Sequence, residues 1–180
     1  MAFISGISDE MVVADIFKWS QEAGDCISQW HEIVMRGDSP LSQAEREFIA
    51  AYTSSINACS LCYGVHKLIA EQFGIDAEVF ENLVNDIDGA PIDEKLKPLL
   101  HYAKKLTLQA SKMTQADADA VFAAGWNEQA LHDAINVICM FNFMNRIVLG
   151  HGGTDGDISP HYQMSADFLA QKGYVADGAP

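Results

Sequence analysis

No stretch of this chain alternates apolar and polar residues between turn signals, and Val-, Ile- and Thr-rich runs of the kind that build strands are missing. Helix punctuation recurs instead. That combination confines the chain to an all-α fold. Its 180 residues are enough for one sizeable core, so we read residues 1–180 as a single all-helical domain.

The helices follow from their caps. Residues 9–22 and 26–35 read as amphipathic segments separated by Ala23-Gly24-Asp25, and Gly37-Asp38-Ser39-Pro40 as a loop. Ser42-Gln43-Ala44-Glu45 is a capping box that opens a helix to about Ile56. The next helix covers about 60–73 and stops at Gly74. Further helices are expected over 76–87 and 93–109, with Pro98 kinking the latter or marking its early turn. Thr114 and Asn127 are N-caps for 115–124 and 128–149. The run 134–146 is apolar nearly all round, which predicts burial in the core or at a subunit interface. A flexible connection over 151–157 and a short helix to about Gln171 complete the chain.

Within this frame, Cys59-Ser60-Leu61-Cys62-Tyr63-Gly64-Val65-His66 carries the chemistry. On one helix these offsets put both sulfurs and the imidazole on one face. In a Cys-x-x-Cys dithiol one thiol attacks and its neighbour resolves the intermediate as a disulfide. The thiolate is the nucleophile, and a histidine one turn away is placed to take the proton.

Glu47 precedes Cys59 by twelve residues. On one straight helix the two would stand roughly 18 Å apart and could not cooperate. Ser54-Ser55-Ile56-Asn57-Ala58 offers a break, because Ser and Asn favour caps and turns. If the chain reverses near Asn57, Glu47 faces His66, and a proton path Glu47, His66, Cys62, Cys59 results. The open helix end near Cys59 also stabilises an anion. Cys62 therefore has the nearer base and Cys59 the nearer helix end. We take Cys62 as the attacking thiol and Cys59 as the resolving one.

Composition narrows the partners. Hydrophobic residues make up 49% of the chain and charged residues 20%, as in globular proteins. A formal net charge of −14 argues against nucleic acid and anionic lipid. Neither a secretory signal nor a transmembrane span is read at the N-terminus. The four cysteines are not a secreted disulfide framework. A reducing, cytoplasmic compartment is expected, with Cys26 and Cys139 as ordinary core residues.

Glu47, eleven residues, then Cys59-x-x-Cys62-x-x-x-His66 resembles the signature of alkylhydroperoxidase D-like proteins, within the carboxymuconolactone decarboxylase-like superfamily. Pro40 to Glu47, Ala124-Gly125-Trp126-Asn127-Glu128 and Phe141 to Arg146 are similar to that family's peroxidase-related branch. The likeness spans a core of about 38–150 and leaves out the N-terminal helices (9–35) and an extension over 151–180. It implies an all-helical fold with a central hairpin carrying the dithiol, homo-oligomers, and thiol-dependent reduction of organic hydroperoxides. Glu47, His66, Cys62 and Cys59 would form the relay and redox pair. An external dithiol would supply electrons, and no cofactor or metal is called for. Some members carry a histidine between the cysteines, where this chain has Leu61.

Other readings compete. A metal at Cys59, Cys62 and His66 would need a fourth ligand, and no spacing recommends His101, His132, His151 or His161. A redox-sensing oligomer or a decarboxylase-like enzyme are the functional alternatives, although decarboxylation gives the dithiol no task. Asn142, Asn145 and Arg146 are expected to satisfy backbone carbonyls or one another rather than bind substrate. Trp19, Trp30 and Trp126 are expected as core or interface anchors.

Overall fold

The computed structural model describes residues 2–8, 11–153 and 160–175. Its helices are α1 (Val13–Phe17), α2 (Gln21–Arg36), α3 (Gln43–Ile56), α4 (Ser60–Gln72), α5 (Leu96–Gln109), α6 (Gln115–Ala123), α7 (Glu128–Gly150) and α8 (Pro160–Lys172). Two short 3₁₀ turns, Ala77–Phe80 and Ala110–Lys112, join them. No strand occurs among the described residues. No described helix is long and apolar enough to cross a membrane.

The caps act as expected. Ser42 and Glu45 close a capping box, with Ser42 N–H donating to Glu45 Oε2 at 2.7 Å. Thr114 forms one with Asp117, and Asn127 Oδ1 accepts the Ala130 amide at 2.8 Å. Pro98 is the third residue of α5, where an amide needs no intrahelical partner.

Three elements differ from the sequence reading. The expected break at 23–25 is absent, and α2 runs through it. Gly24 is there for contact: a Cβ on it would lie 2.6 Å from Phe17 Cβ, so the glycine lets the end of α1 lie against α2. The interruption falls instead at 18–20, and residues 9–10 of that segment lie outside the described residues. The helix expected over 76–87 shrinks to Ala77–Phe80. Asn82 takes a left-handed φ of 58°, and its carbonyl accepts the Asn85 and Asp86 amides. Asp86 Oδ1 then accepts the Gly89 amide at 2.9 Å. Short polar side chains here give the backbone turns in place of a helix. Finally, Cys26 and Cys139 are exposed rather than core, because each sits on the outward stripe of its helix. The loop expected over 151–157 is described only to residue 153.

Helix α7 runs through the core. Ala134, Val137, Ile138 and Met140 are fully buried, and α3 and α5 both pack on α7. The apolar run 134–144 is thus covered mainly within one chain, leaving Phe143 and Cys139 outward. Of the tryptophans, Trp19 is largely exposed, Trp30 meets Phe143 edge-on, and Trp126 donates to the Lys95 carbonyl.

Helices α3 and α4 form the expected hairpin. It turns through Asn57, Ala58 and Cys59. The Cys59 amide donates to the Ser54 carbonyl at 3.0 Å and the Ala58 amide to Ser55 at 3.1 Å, the paired bonds of a Schellman close. Ala58 occupies the left-handed position of that motif, at φ 53°. Ile7, Met11 and Ile16 from the N-terminal segment cluster with Cys59, Leu61 and Cys62, while α8 packs against Val65 and Ile69 of α4.

Candidate active site

The hairpin sets Glu47 against His66 and Cys59 beside Cys62, and Cys62 and His66 line one cavity. Glu47 is fully buried on α3, and its Oε2 lies 2.6 Å from His66 Nδ1 on α4. A carboxylate can only accept, so this contact places the imidazole proton on Nδ1 and leaves Nε2 as the basic nitrogen. Burial alone would push the Glu47 carboxyl up. The adjoining His66 and Arg36 outweigh it and hold the group below its usual range, as an anion.

Both sulfurs are free thiols at the start of α4. Cys59 is fully buried, and Cys62 is 3% exposed. The Cys62 thiol is hydrogen-bonded to the Cys59 sulfur, which draws Cys59 below the ordinary thiol range despite its burial. The same bond, with burial, pushes Cys62 well up. Thiolate character therefore rests on Cys59 in the reduced pair, and the two titrate as one unit. Asn145, fully buried on α7, reaches both sulfurs and favours their charged forms.

The polar residues of α7 follow the expectation in part: Asn142 Nδ2 donates to the Ile138 carbonyl at 3.0 Å, and Arg146 donates to Asn142 Oδ1 at 3.0 Å. Asn145 donates to Ser54 Oγ at 3.0 Å and accepts from Asn57 Nδ2 at 2.9 Å. Asn142 donates to Thr107 Oγ1, and Arg146 donates to the Asn142 carbonyl. The contact of Asn145 with the sulfurs goes beyond that expectation.

Three further residues meet the relay, and none was singled out from sequence. Arg36, the last residue of α2, donates to Glu47 Oε1 at 2.7 Å. The Tyr174 hydroxyl donates to the same oxygen at 2.8 Å. Burial and the Glu47 charge push the Tyr174 phenol well up, so it remains a donor. Gly173 aims this tyrosine: its φ is 76°, and a Cβ would meet Glu32 Oε2 at 2.5 Å. Glu32 in turn accepts the Tyr174 amide at 2.6 Å. His31, on α2, stacks on the Tyr174 ring with centroids 5.3 Å apart. Nothing local marks Arg36 and Tyr174, since their bonds to Glu47 span 11 and 127 residues of sequence.

Cys62 and His66 open on a cavity of about 500 Å³. Its walls are mostly apolar, with Phe17, Leu61, Val65, Phe141, Met144 and Phe168 among them. Cys59 does not line it. The volume lies in the range of small-molecule sites. Among the described residues, no three His, Cys, Asp or Glu side chains are grouped to hold a metal ion.

Solved structures share this all-helical fold. An uncharacterized peroxidase-related protein from Silicibacter sp. TM1040 is 29% identical over 85% of this chain and 80% of that one, with a TM-score of 0.75. An uncharacterized peroxidase-related protein from Ralstonia eutropha JMP134, described as an alkylhydroperoxidase AhpD core, has a TM-score of 0.71 at 19% identity, over 92% of this chain and 96% of that one. A protein of unknown function from Agrobacterium tumefaciens, suggested to be the antioxidant defence protein AhpD, has a TM-score of 0.68 at 20% identity, over 78% and 95%. Compared with protein-family models and with curated proteins, the sequence matches none. The chain has the all-helical fold of these peroxidase-related, alkylhydroperoxidase D-like structures.

Proposed function

We propose that this protein reduces organic hydroperoxides through a dithiol–disulfide cycle. One observation carries the reading: Cys62 and His66 face the same apolar cavity while a buried carboxylate holds the imidazole by Nδ1. His66 Nε2 takes one proton from the thiol pair. The remaining proton is shared between the sulfurs, and Cys62 is the sulfur that a molecule in the cavity reaches. As that shared proton passes to Cys59, the Cys62 sulfur attacks the terminal oxygen of ROOH, forming S–O and breaking O–O. The alkoxide leaves with the His66 proton as ROH, and Cys62 becomes a sulfenic acid. Cys59 then attacks that sulfur, forming the disulfide and releasing hydroxide, which is protonated to water. The dithiol has lost the two electrons the peroxide gained, and an external dithiol restores them.

The peroxidase-related description of the similar structures supports the general role. The cavity walls favour a hydroperoxide with an apolar substituent. In this reading the protein works in the reducing cytoplasm as a homo-oligomer, and needs no cofactor. The test is hydroperoxide consumption with several dithiol donors, comparing the wild type with Cys62→Ser. Catalytic turnover in the wild type and its loss in the variant are expected. Stoichiometric oxidation without turnover would make the protein a redox sensor instead.

A further inference from the structure

We propose that His31 is a substrate-binding residue: its Nε2 accepts a hydrogen bond from the O–H of the hydroperoxide and fixes that end of the molecule in the cavity. The inference rests on the reading of the cavity as a hydroperoxide site.

The argument begins with the ring's two nitrogens. His31 Nδ1 lies 2.8 Å from the Ile27 carbonyl, one helical turn earlier. A carbonyl only accepts, so Nδ1 carries the proton and Nε2 keeps its lone pair. No described residue takes Nε2. The side chain is only 6% exposed, and it lines the cavity together with Cys62 and His66. The ring is held on several sides. It stacks on Tyr174 and meets Phe141 edge-on at 6.0 Å, and His66 meets the same Phe141 ring at 4.4 Å. Burial brings His31 down to about 4, so the ring is neutral at physiological pH. A neutral, oriented acceptor in a mostly apolar wall selects a ligand that donates. It is too weak a base to take the proton outright, so it positions and does not deprotonate.

A hydroperoxide fits this acceptor, because its terminal oxygen both carries the hydrogen and receives the sulfur. Holding that hydrogen on His31 directs the terminal oxygen toward Cys62 and the alkoxy oxygen toward the proton donor, His66. The position between the cysteines is Leu61, a cavity wall without a polar group. His31 instead brings an imidazole to the cavity from α2.

The experiment follows oxidation of the pre-reduced protein by cumene hydroperoxide in stopped flow, for the wild type, His31→Phe and His31→Gln. Alkylation of Cys62 by iodoacetamide, which carries no O–H, is measured in parallel. His31→Phe keeps the ring packing and loses the acceptor. It should oxidise roughly tenfold more slowly, the worth of one hydrogen bond, with alkylation unchanged. Glutamine retains an acceptor and should recover most of the rate. In the unsubstituted protein, the His31 Nε2 nitrogen resonance should move on adding cumyl alcohol and stay put with cumyl methyl ether. An unchanged oxidation rate in His31→Phe, a parallel fall in alkylation, or an equal response to alcohol and ether would overturn the proposal. A wild type that is alkylated but never oxidised by cumene hydroperoxide would instead sink the hydroperoxide reading, and this proposal with it.

Discussion

The α3–α4 hairpin and the segments wrapped around it contribute to one site in different ways. In the proposed cycle the hairpin supplies the reacting groups, all within twenty residues: Glu47, Cys59, Cys62 and His66. The wrap, from α2 and from the turn after α8, supplies Arg36, His31 and Tyr174, which hold the charge of Glu47 or line the cavity. The proposed chemistry is encoded by local spacing, whereas its electrostatic setting and the cavity depend on contacts across the chain. The alkylhydroperoxidase-like motif spans the first and not the second. The specificity of this protein is accordingly expected to reside in the wrap.

The comparison can be broken first at the point where the two regions meet. Glu47 and Arg36 form an ion pair with side chains 0% and 8% exposed. Glu47→Leu leaves a guanidinium with its charge buried and should cost roughly 3–5 kcal/mol in urea denaturation. Combining it with Arg36→Met should recover most of that loss. A double variant no more stable than Glu47→Leu alone would mean that the wrap does not set the state of the carboxylate.

The second test is acid stability. His31 is lowered to about 4 from an ordinary 6.5, so between those values the unfolded chain binds a proton that the folded chain refuses. Its contribution is complete above about pH 6.5 and is lost as pH falls toward 4, by roughly 3 kcal/mol. The groups facing it are His66, Glu47, the stacked Tyr174 ring and the Ile27 carbonyl. Glu47, held below its ordinary value, adds a loss of its own at lower pH. The fall in melting temperature from pH 7 to pH 5 should therefore flatten in His31→Phe. An equal fall in both proteins would place a charged His31 in the folded state.

Smaller effects sharpen the picture. Tyr174→Phe keeps the ring and removes one donor from Glu47 Oε1, and should cost about 1 kcal/mol. Its rate of peroxide reduction should fall less than that of any hairpin variant, because Arg36 still holds the same oxygen. Ala58→Gly should stabilise the hairpin by up to about 1 kcal/mol, since alanine at φ 53° carries a strain that glycine lacks. Chemical denaturation reads both.

The hairpin was legible because its determinants are local. A capping box at Ser42, the weak helix formers near Asn57, and Gly74 bound two helices, and the turn between them puts Glu47 against His66. The same local logic misplaced what tertiary contact decides. Gly24 reads as a breaker but is a close-approach residue inside α2, and residues 81–87 read as helix although Asn82 and Asp86 turn the chain there. Cys26 and Cys139 read as core by residue type, yet their helical faces point outward. Arg36, His31 and Tyr174 carry no motif. Only the folded chain sets Tyr174, 127 residues after Glu47, on its carboxylate.

The central claim is that a carboxylate-held imidazole activates the dithiol. The most direct measurement is the rate of disulfide formation with excess cumene hydroperoxide, from about pH 6 to pH 10, in the wild type and His66→Ala. His66 is preferred to Glu47 for this test because its removal leaves the Arg36–Glu47 pair in place. The account predicts a rate lower by about 10²- to 10⁴-fold near pH 7, with the two profiles converging as hydroxide removes the thiol proton unaided. A His66→Ala profile that matches the wild type at every pH would contradict it, and would leave the helix end at Cys59 as the activator.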